Sequence, residues 1–362
     1  MRRLLALIAT SLAALALAGG AAAVQPATPT SPAPAPSAPP AKSWADAQIR
    51  SVTAVGILGD DPATFRSADP LTRGELADAL GAWGKPVATP ADPSKVVTMS
   101  ELDAQLVGAL GLTPAARRIR IAARDAGLAP TSRLGTETVA RLLGLRLNHP
   151  QGSDVLELLP SQPATRAEAA YSLARAVNLS AGQVMWLDQL SQTFSVPELS
   201  SWQRAVLGRA LRFVGFPYVW AGTSEVTQKI WSATASGSWV TVPGGFDCSG
   251  FVWRVYKTKP FPGAPLLGDI LKGRTTYAMS GEVKKPARIG IDALEPGDVV
   301  FFGAHGTTST PAEVGHTGIY VGNGWFVHSS AAGVTLQPLQ GWYTTTFAWA
   351  RRPLLEAGLT AQ

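Results

Sequence analysis

The sequence predicts a two-part α+β chain, with a helical N-terminal region followed by a mixed region. Three observations carry that prediction. The only cysteine, Cys248, heads a run with helical spacing. Two histidines, His316 and His328, flank an Asn323-Gly324 turn in segments that alternate as strands do. Upstream, residues 43–195 repeat a short pattern typical of helix starts.

The N-terminus sets the compartment. Arg2 and Arg3 precede an apolar run from Leu4 to Ala18, and Ala21-Ala22-Ala23 offers a small-residue cleavage site. This is the pattern of an export signal, expected over residues 1–24. The run is short for a membrane span, so none is expected once the signal is removed. No cysteine lies near the cleavage point, which argues against a lipid anchor. Residues 25–42 are mostly proline, alanine, serine and threonine, a composition that forms a semi-extended linker rather than a core. The remaining chain, about 320 residues, suits two domains.

Within residues 43–195, Trp44-Ala45-Asp46-Ala47-Gln48-Ile49 opens a helical pattern. Leu71-Thr72-Arg73-Gly74-Glu75-Leu76 then returns as Ala164-Thr165-Arg166-Ala167-Glu168-Ala169, with a degraded copy at Val97-Thr98-Met99-Ser100-Glu101-Leu102. These pieces resemble S-layer homology modules, a helical repeat family that binds secondary wall polysaccharides. The resemblance implies a wall-binding domain, with Arg73 and Arg166 at the family's basic ligand position, where a guanidinium can fork onto a carboxylate. The middle copy lacks the arginine. The same residues also read as capping boxes, Thr72 with Glu75 and Thr165 with Glu168, which any small helical domain could use. His149, beside Pro150, is expected in a surface loop. A helix and connector are expected over 179–197, and Trp202 to Leu211 reads as the first helix of a C-terminal domain spanning 200–355.

Cys248 lies in Phe246-Asp247-Cys248-Ser249-Gly250-Phe251. Gly244 and Gly245 break the preceding structure, Asp247 can cap a helix, and Phe251, Val252, Val255 and Tyr256 follow at helical spacing. Cys248 is thus expected on a first helical turn, where free N–H groups and the helix dipole favour thiolate. An exported chain with one thiol closes no intramolecular disulfide, so Cys248 is either a small buried hydrophobe or a reactive group.

Gly315-His316-Thr317-Gly318-Ile319-Tyr320-Val321-Gly322 and Trp325-Phe326-Val327-His328-Ser329 read as paired strands. A two-residue turn would pair His328 with Ile319 and put the imidazoles on opposite faces. A three-residue loop of Gly322, Asn323 and Gly324 would pair His328 with Gly318 and put both on one face, and this longer loop is expected. His316 would then be the base facing the thiol and His328 the group that orients its ring, an arrangement suited to acyl transfer.

Five blocks in order resemble the NlpC-type cell-wall cysteine peptidases. They are Phe216 to Gly222, Asp247 to Phe251, Leu294 to Phe302, Gly315 to Gly322, and His328, with Arg274-Thr275-Thr276-Tyr277 similar to the segment after the nucleophile helix. The resemblance covers about residues 202–352. It implies a papain-like α+β fold, with the cysteine helix packed on an antiparallel sheet, preceded here by the all-α repeat domain. It also implies cleavage of peptidoglycan stem peptides between D-glutamate and a diamino acid. By position, Cys248 matches the nucleophile, His316 the base and His328 the third polar residue. Tyr218 matches a tyrosine near the oxyanion region, and Asp247 and Ser249 match residues that help bind substrate. As bare residues, Tyr218 also reads as a core aromatic and Asp247 as a cap. The chain departs from the family between Thr223 and Gly244, a longer insert carrying Trp231 and Trp239 that should border the cleft.

The expected protein is a secreted, wall-associated cysteine endopeptidase acting on peptidoglycan stem peptides. The alternatives are a muramoyl-L-alanine amidase, an acyltransferase on the same fold, or a non-enzymatic wall-binding protein. A net charge of +6 suits association with anionic wall polymers, including secondary polysaccharide. Nucleic acid is not an expected partner, because no lysine-rich run or aromatic-basic interleaving occurs. No cofactor or metal is expected, since neither HExxH nor CxxC spacing is present. His305, in a glycine-rich loop, is expected to be solvated.

Overall fold

The computed structural model describes residues 42–232 and 237–359. The expected signal over 1–24 and nearly all of the 25–42 linker lie outside the described residues, as do 233–236 and 360–362. Among the described residues, no helix is long and apolar enough to cross a membrane.

The first part is helical: α1 (Asp46–Ala54), α2 (Arg73–Ala82), α3 (Met99–Ala109), α4 (Thr113–Asp125), α5 (Leu134–Leu142), α6 (Arg166–Val177) and α7 (Ala181–Thr193). Threonine starts three of them. Thr72 and Thr98 form full capping boxes with Glu75 and Glu101, and Thr165 accepts from the Glu168 N–H. Each such cap satisfies orphan N–H groups and contributes about 1 kcal/mol.

The residues just before these caps join in a closed ring. Leu71 N–H donates to Ala164 O at 2.8 Å, Ala164 N–H to Val97 O at 2.8 Å, and Val97 N–H to Leu71 O at 2.9 Å. The capping glutamates extend the ring outward. Arg166 pairs with Glu75, and Arg73 pairs with Glu101 at 2.5 Å. Where the third arginine would stand is Met99, and Glu168 instead meets His149 Nε2 at 3.1 Å. His149 is therefore buried in this cluster rather than lying in a surface loop. Burial works to lower its pKa, but the bond to Glu168 and the charges of Glu157, Glu168 and Asp154 hold it above the usual value.

The second part begins with α8 (Ser201–Arg212) and is built on a five-stranded antiparallel sheet in the order β8-β7-β6-β5-β9. These strands are β5 (Val299–Gly303), β6 (Val314–Gly322), β7 (Trp325–Ser330), β8 (Gly333–Pro338) and β9 (Phe347–Arg351). The insert contributes short β1 (Thr223–Ser224), paired with β4 (Gly245–Phe246), and a hairpin of β2 (Gln228–Ser232) and β3 (Ser238–Val242). Helix α9 (Cys248–Lys257) follows β4 directly and buries Phe251, Val252, Val255 and Tyr256, the apolar stripe that its spacing predicts. Residues Val299, Phe301, Ile319, Val327 and Leu336 join the same core from the sheet. A second cluster holds Val300, Phe302, Phe326 and Phe347, with Tyr343 beside it from α12 (Trp342–Thr345), the short helix after α10 (Ala264–Ile270) and α11 (Thr276–Gly281).

The β6–β7 turn brings the histidines together by a device other than the expected loop. Gly322 pairs with Trp325, so Asn323 and Gly324 make a two-residue turn, with φ of 48° and 78°. Both lie in the left-handed region, as a primed hairpin turn requires. A register shift between Tyr320 and Gly322 adds the odd residue, so Tyr320 faces Phe326 and Ile319 faces Val327. The bulge, not a longer loop, sets His328 opposite Gly318.

A buried charge cluster anchors the helical part. Arg146 reaches Asp103 at 2.9 Å and Glu137 at 3.6 Å, with all three side chains sealed from solvent. Removing one partner would leave uncompensated buried charge, so Arg146→Met is expected to lower stability by about 3–5 kcal/mol. Denaturant unfolding of the full chain would measure it.

Candidate active site

Cys248 opens α9, as its sequence context predicts, and Asp247 caps the helix by accepting the Gly250 N–H at 2.5 Å. The same carboxylate forks onto Arg274, with Nη1 donating to Oδ1 at 3.1 Å and Nη2 to Oδ2 at 2.9 Å. Arg274 Nη1 also donates to Ser249 Oγ at 2.8 Å, and Ser249 Oγ donates to Asp247 Oδ1 at 3.1 Å. Asp247, Ser249 and Arg274 thus form one network behind the thiol. Gly250 must lack a side chain here, because a Cβ would lie 2.0 Å from Gly222 O.

The backbone N–H groups of Ser249 and Thr317 both point at the Cys248 sulfur. Thr317 follows His316, which places the thiol against the strand that carries the imidazole. His316 Nε2 lies 2.7 Å from His328 Nδ1, with the rings perpendicular and 4.9 Å apart. The strand pairing therefore unites both histidines on one face. Gly318 permits this, since a Cβ there would meet His328 Cβ at 2.9 Å and Phe326 at 2.9 Å. His328 stacks on Phe326 at 4.5 Å and meets Tyr343 edge-on at 5.2 Å.

Electrostatics overturn one expectation. Cys248 is only 8% exposed, and burial, followed by the Asp247 charge, pushes its thiol up to about 12. The N–H groups of Ser249 and Thr317 and the Arg274 cation oppose this without reversing it. The helix start alone does not make a thiolate; the resting sulfur is protonated. Burial, then the neighbouring His328, holds His316 well below the usual imidazole value. Burial also takes His328 down to about 4. All three groups are neutral at rest.

Neutrality fixes the useful tautomer. For Nδ1 of His316 to accept a proton, Nε2 must carry one and donate it to His328 Nδ1. His328 then keeps its own proton on Nε2. The Gln337 side chain acts to raise His328, while Nε2 finds no well-formed hydrogen bond among the described residues. Tyr218 sits beside the thiol. Burial, then repulsion from Cys248 once it ionises at high pH and from Asp247 and Asp154, raises its phenol above the normal range, so it stays a hydroxyl donor.

Other predicted residues lie elsewhere. Arg166 is buried, donates through Nε to Phe65 O at 2.8 Å and is paired with Glu75, while Arg73 is tied to Glu101. Each guanidinium is thus engaged, at least in part, by an internal carboxylate. His305 is exposed and faces Glu313 at 3.4 Å. In the insert, Trp231 and Trp239 pair across the hairpin at 5.8 Å with both rings largely in solvent. Sequence reasoning missed the aromatic wall on the histidine side. Trp342 is 58% exposed and lies 6.5 Å from His316, with Tyr343 at 6.1 Å. No local pattern marks these residues. Arg274 was legible only as part of a similar segment.

A helix-borne thiol set against a histidine pair on an antiparallel sheet defines the class of cysteine hydrolases. Residues 215–352 match the NlpC/P60 family, so this part of the chain is an NlpC/P60 domain. The bifunctional muramidase/DL-endopeptidase CwlT of Bacillus subtilis is 33% identical over 139 residues, covering 38% of this chain and 32% of that protein. The gamma-D-glutamyl-L-lysine dipeptidyl-peptidase of Bacillus cereus is 28% identical over 219 residues, covering 55% of each. Among solved structures, an NlpC/P60 family protein from Bacillus cereus is 25% identical, with a TM-score of 0.29 over 45% of this chain and 43% of that one. The chain thus spans about a third to about half of these two curated relatives.

Two outcomes test the geometry. Because the thiol is raised, its alkylation by iodoacetamide should climb about tenfold per pH unit from about pH 7 to about pH 10. A rate already flat below neutrality would contradict the neutral resting pair. Gly318→Ala should displace His328 and lower activity about tenfold or more while the fold persists, as circular dichroism would report.

Proposed function

We propose that the protein is a secreted peptidoglycan hydrolase that cuts a stem-peptide amide, between D-glutamate and a diamino acid, through a Cys248 thioester. The observation that carries this reading is the 2.7 Å bond between His316 Nε2 and His328 Nδ1, which leaves His316 Nδ1 uncommitted next to the strand residue whose N–H holds the sulfur. The relatives named as DL-endopeptidase and gamma-D-glutamyl-L-lysine dipeptidyl-peptidase support the choice of bond.

Chemistry starts from the neutral pair. As substrate displaces water, His316 takes the thiol proton at Nδ1 while the sulfur attacks the amide carbon. The imidazolium that forms is shared with His328 through the short bond, which compensates for the cost of charge in a buried site. The Cys248 N–H at the helix start and the Tyr218 hydroxyl are the donors for the oxyanion. His316 then protonates the departing amine, and water hydrolyses the thioester. Asp247, Ser249 and Arg274 supply the polar wall that receives the acyl-side residues.

Arg73 and Arg166 are committed to internal pairs, and residues 43–195 carry 14 basic against 15 acidic side chains. Contact with anionic wall polymer would therefore draw on the C-terminal part, where 14 basic face 10 acidic residues over 196–362, rather than on the helical part.

Purified mature protein and Cys248→Ala would be incubated with peptidoglycan and the fragments weighed. Expected products from wild type carry new diamino-acid amines, and the variant should release none. Fragments cut at the muramoyl–L-alanine bond instead would overturn the choice of bond. His328→Ala should lower kcat by about ten- to a hundredfold with KM little changed, while His328→Gln, which keeps an acceptor, should retain more.

A further inference from the structure

The segment that carries Tyr218 is gripped along both edges. On one edge it pairs with β4: Phe246 N–H donates to Pro217 O at 3.2 Å and Val219 N–H to Phe246 O at 3.3 Å. On the other it meets side chains of the helical part in close succession. Arg133 donates to Arg212 O at 2.6 Å and to Val214 O at 3.3 Å, and Arg141 donates to Gly215 O. Asn148 Nδ2 donates to Tyr218 O at 3.2 Å, and Trp220 N–H donates to Asp154 Oδ1 at 3.3 Å.

The last two contacts flank the site itself. Asp154 is buried and is fixed in turn by the Gly152 N–H on Oδ2 at 3.1 Å. Just beyond Trp220, Ala221 is held at a φ of 58°, a left-handed conformation that alanine adopts only under constraint. Gly222 O then accepts from the Asp247 N–H at 3.2 Å, one residue before the sulfur. The path from the helical part to the nucleophile therefore runs through a strained strap with no slack.

We propose that Asn148 and Asp154 are positioning residues for the peptidase reaction, setting the Tyr218 hydroxyl over Cys248 by holding Tyr218 O and Trp220 N–H from outside the NlpC/P60 domain. The inference rests on the reading of Cys248 as nucleophile. It gives the helical part a role in turnover that binding to the wall does not supply.

The test uses the full chain with a soluble stem-peptide substrate. Asn148→Ala and Asp154→Ala should each lower kcat about tenfold with KM within about twofold, since small misplacements of a reacting group cost that much or more. Asp154→Asn keeps an oxygen for the Trp220 N–H while setting its amide NH2 against the Gly152 N–H, and should retain more kcat than Asp154→Ala. Melting temperatures should stay near wild type, and hydrogen exchange across 216–222 should quicken only in the alanine variants. Asn148→Ala decides the matter alone if Asp154→Ala fails to fold. Unchanged kcat despite faster exchange of the strap overturns the inference alone, as does an Asp154→Asn loss as deep as that of Asp154→Ala. Wild-type protein that releases no amine from peptidoglycan overturns the peptidase reading and this inference together.

Discussion

The Asp247 carboxylate is the point on which the site turns. It caps α9 through Gly250, forks onto Arg274 and accepts from Ser249, while its own N–H reaches Gly222 on the strap. Three segments distant in sequence meet at this one residue. Its charge also works against the thiolate, being the second cause after burial of the raised Cys248 pKa. The residue that builds the platform under Cys248 therefore also helps keep its thiol protonated. Arg274 offsets part of that charge, so its fork serves both geometry and chemistry.

The histidine side obeys a complementary logic. His316 and His328 sit among Phe302, Phe326, Tyr343 and Trp342, an aromatic enclosure that buries His328 and partly covers His316. Low polarity makes their mutual hydrogen bond strong and makes either imidazolium costly on its own. Charge on either ring is therefore disfavoured unless the pair shares it.

Much of this was legible in the sequence, for identifiable reasons. Asp247 before an apolar helical stripe reads as a cap, and alternation over 315–322 and 325–329 reads as a hairpin. The shared face of the two histidines was reached correctly, but through the wrong turn, because a bulge at Val321 substitutes for a longer loop and leaves no mark in composition. The acidity of Cys248 was misjudged because a helix start is local and visible, whereas burial by distant segments is neither. His149 looked like a loop residue because its partner Glu168 lies on another helix. The threonine–glutamate starts were seen, and in the structure both arginines pair with the glutamates of the ring of caps. Trp342, Tyr343, Asn148 and Asp154 act across the fold and carry no signal in their own neighbourhoods.

That ring has a bearing on how the helical part is made. Its three backbone links join Leu71, Val97 and Ala164, so no two of the capped starts can complete their bonding without the third. Helical arrays that stack neighbour on neighbour can be shortened from one end and still hold together. This arrangement closes on itself instead: loss of any one of its three members breaks two of the three links and leaves the other two joined by a single bond.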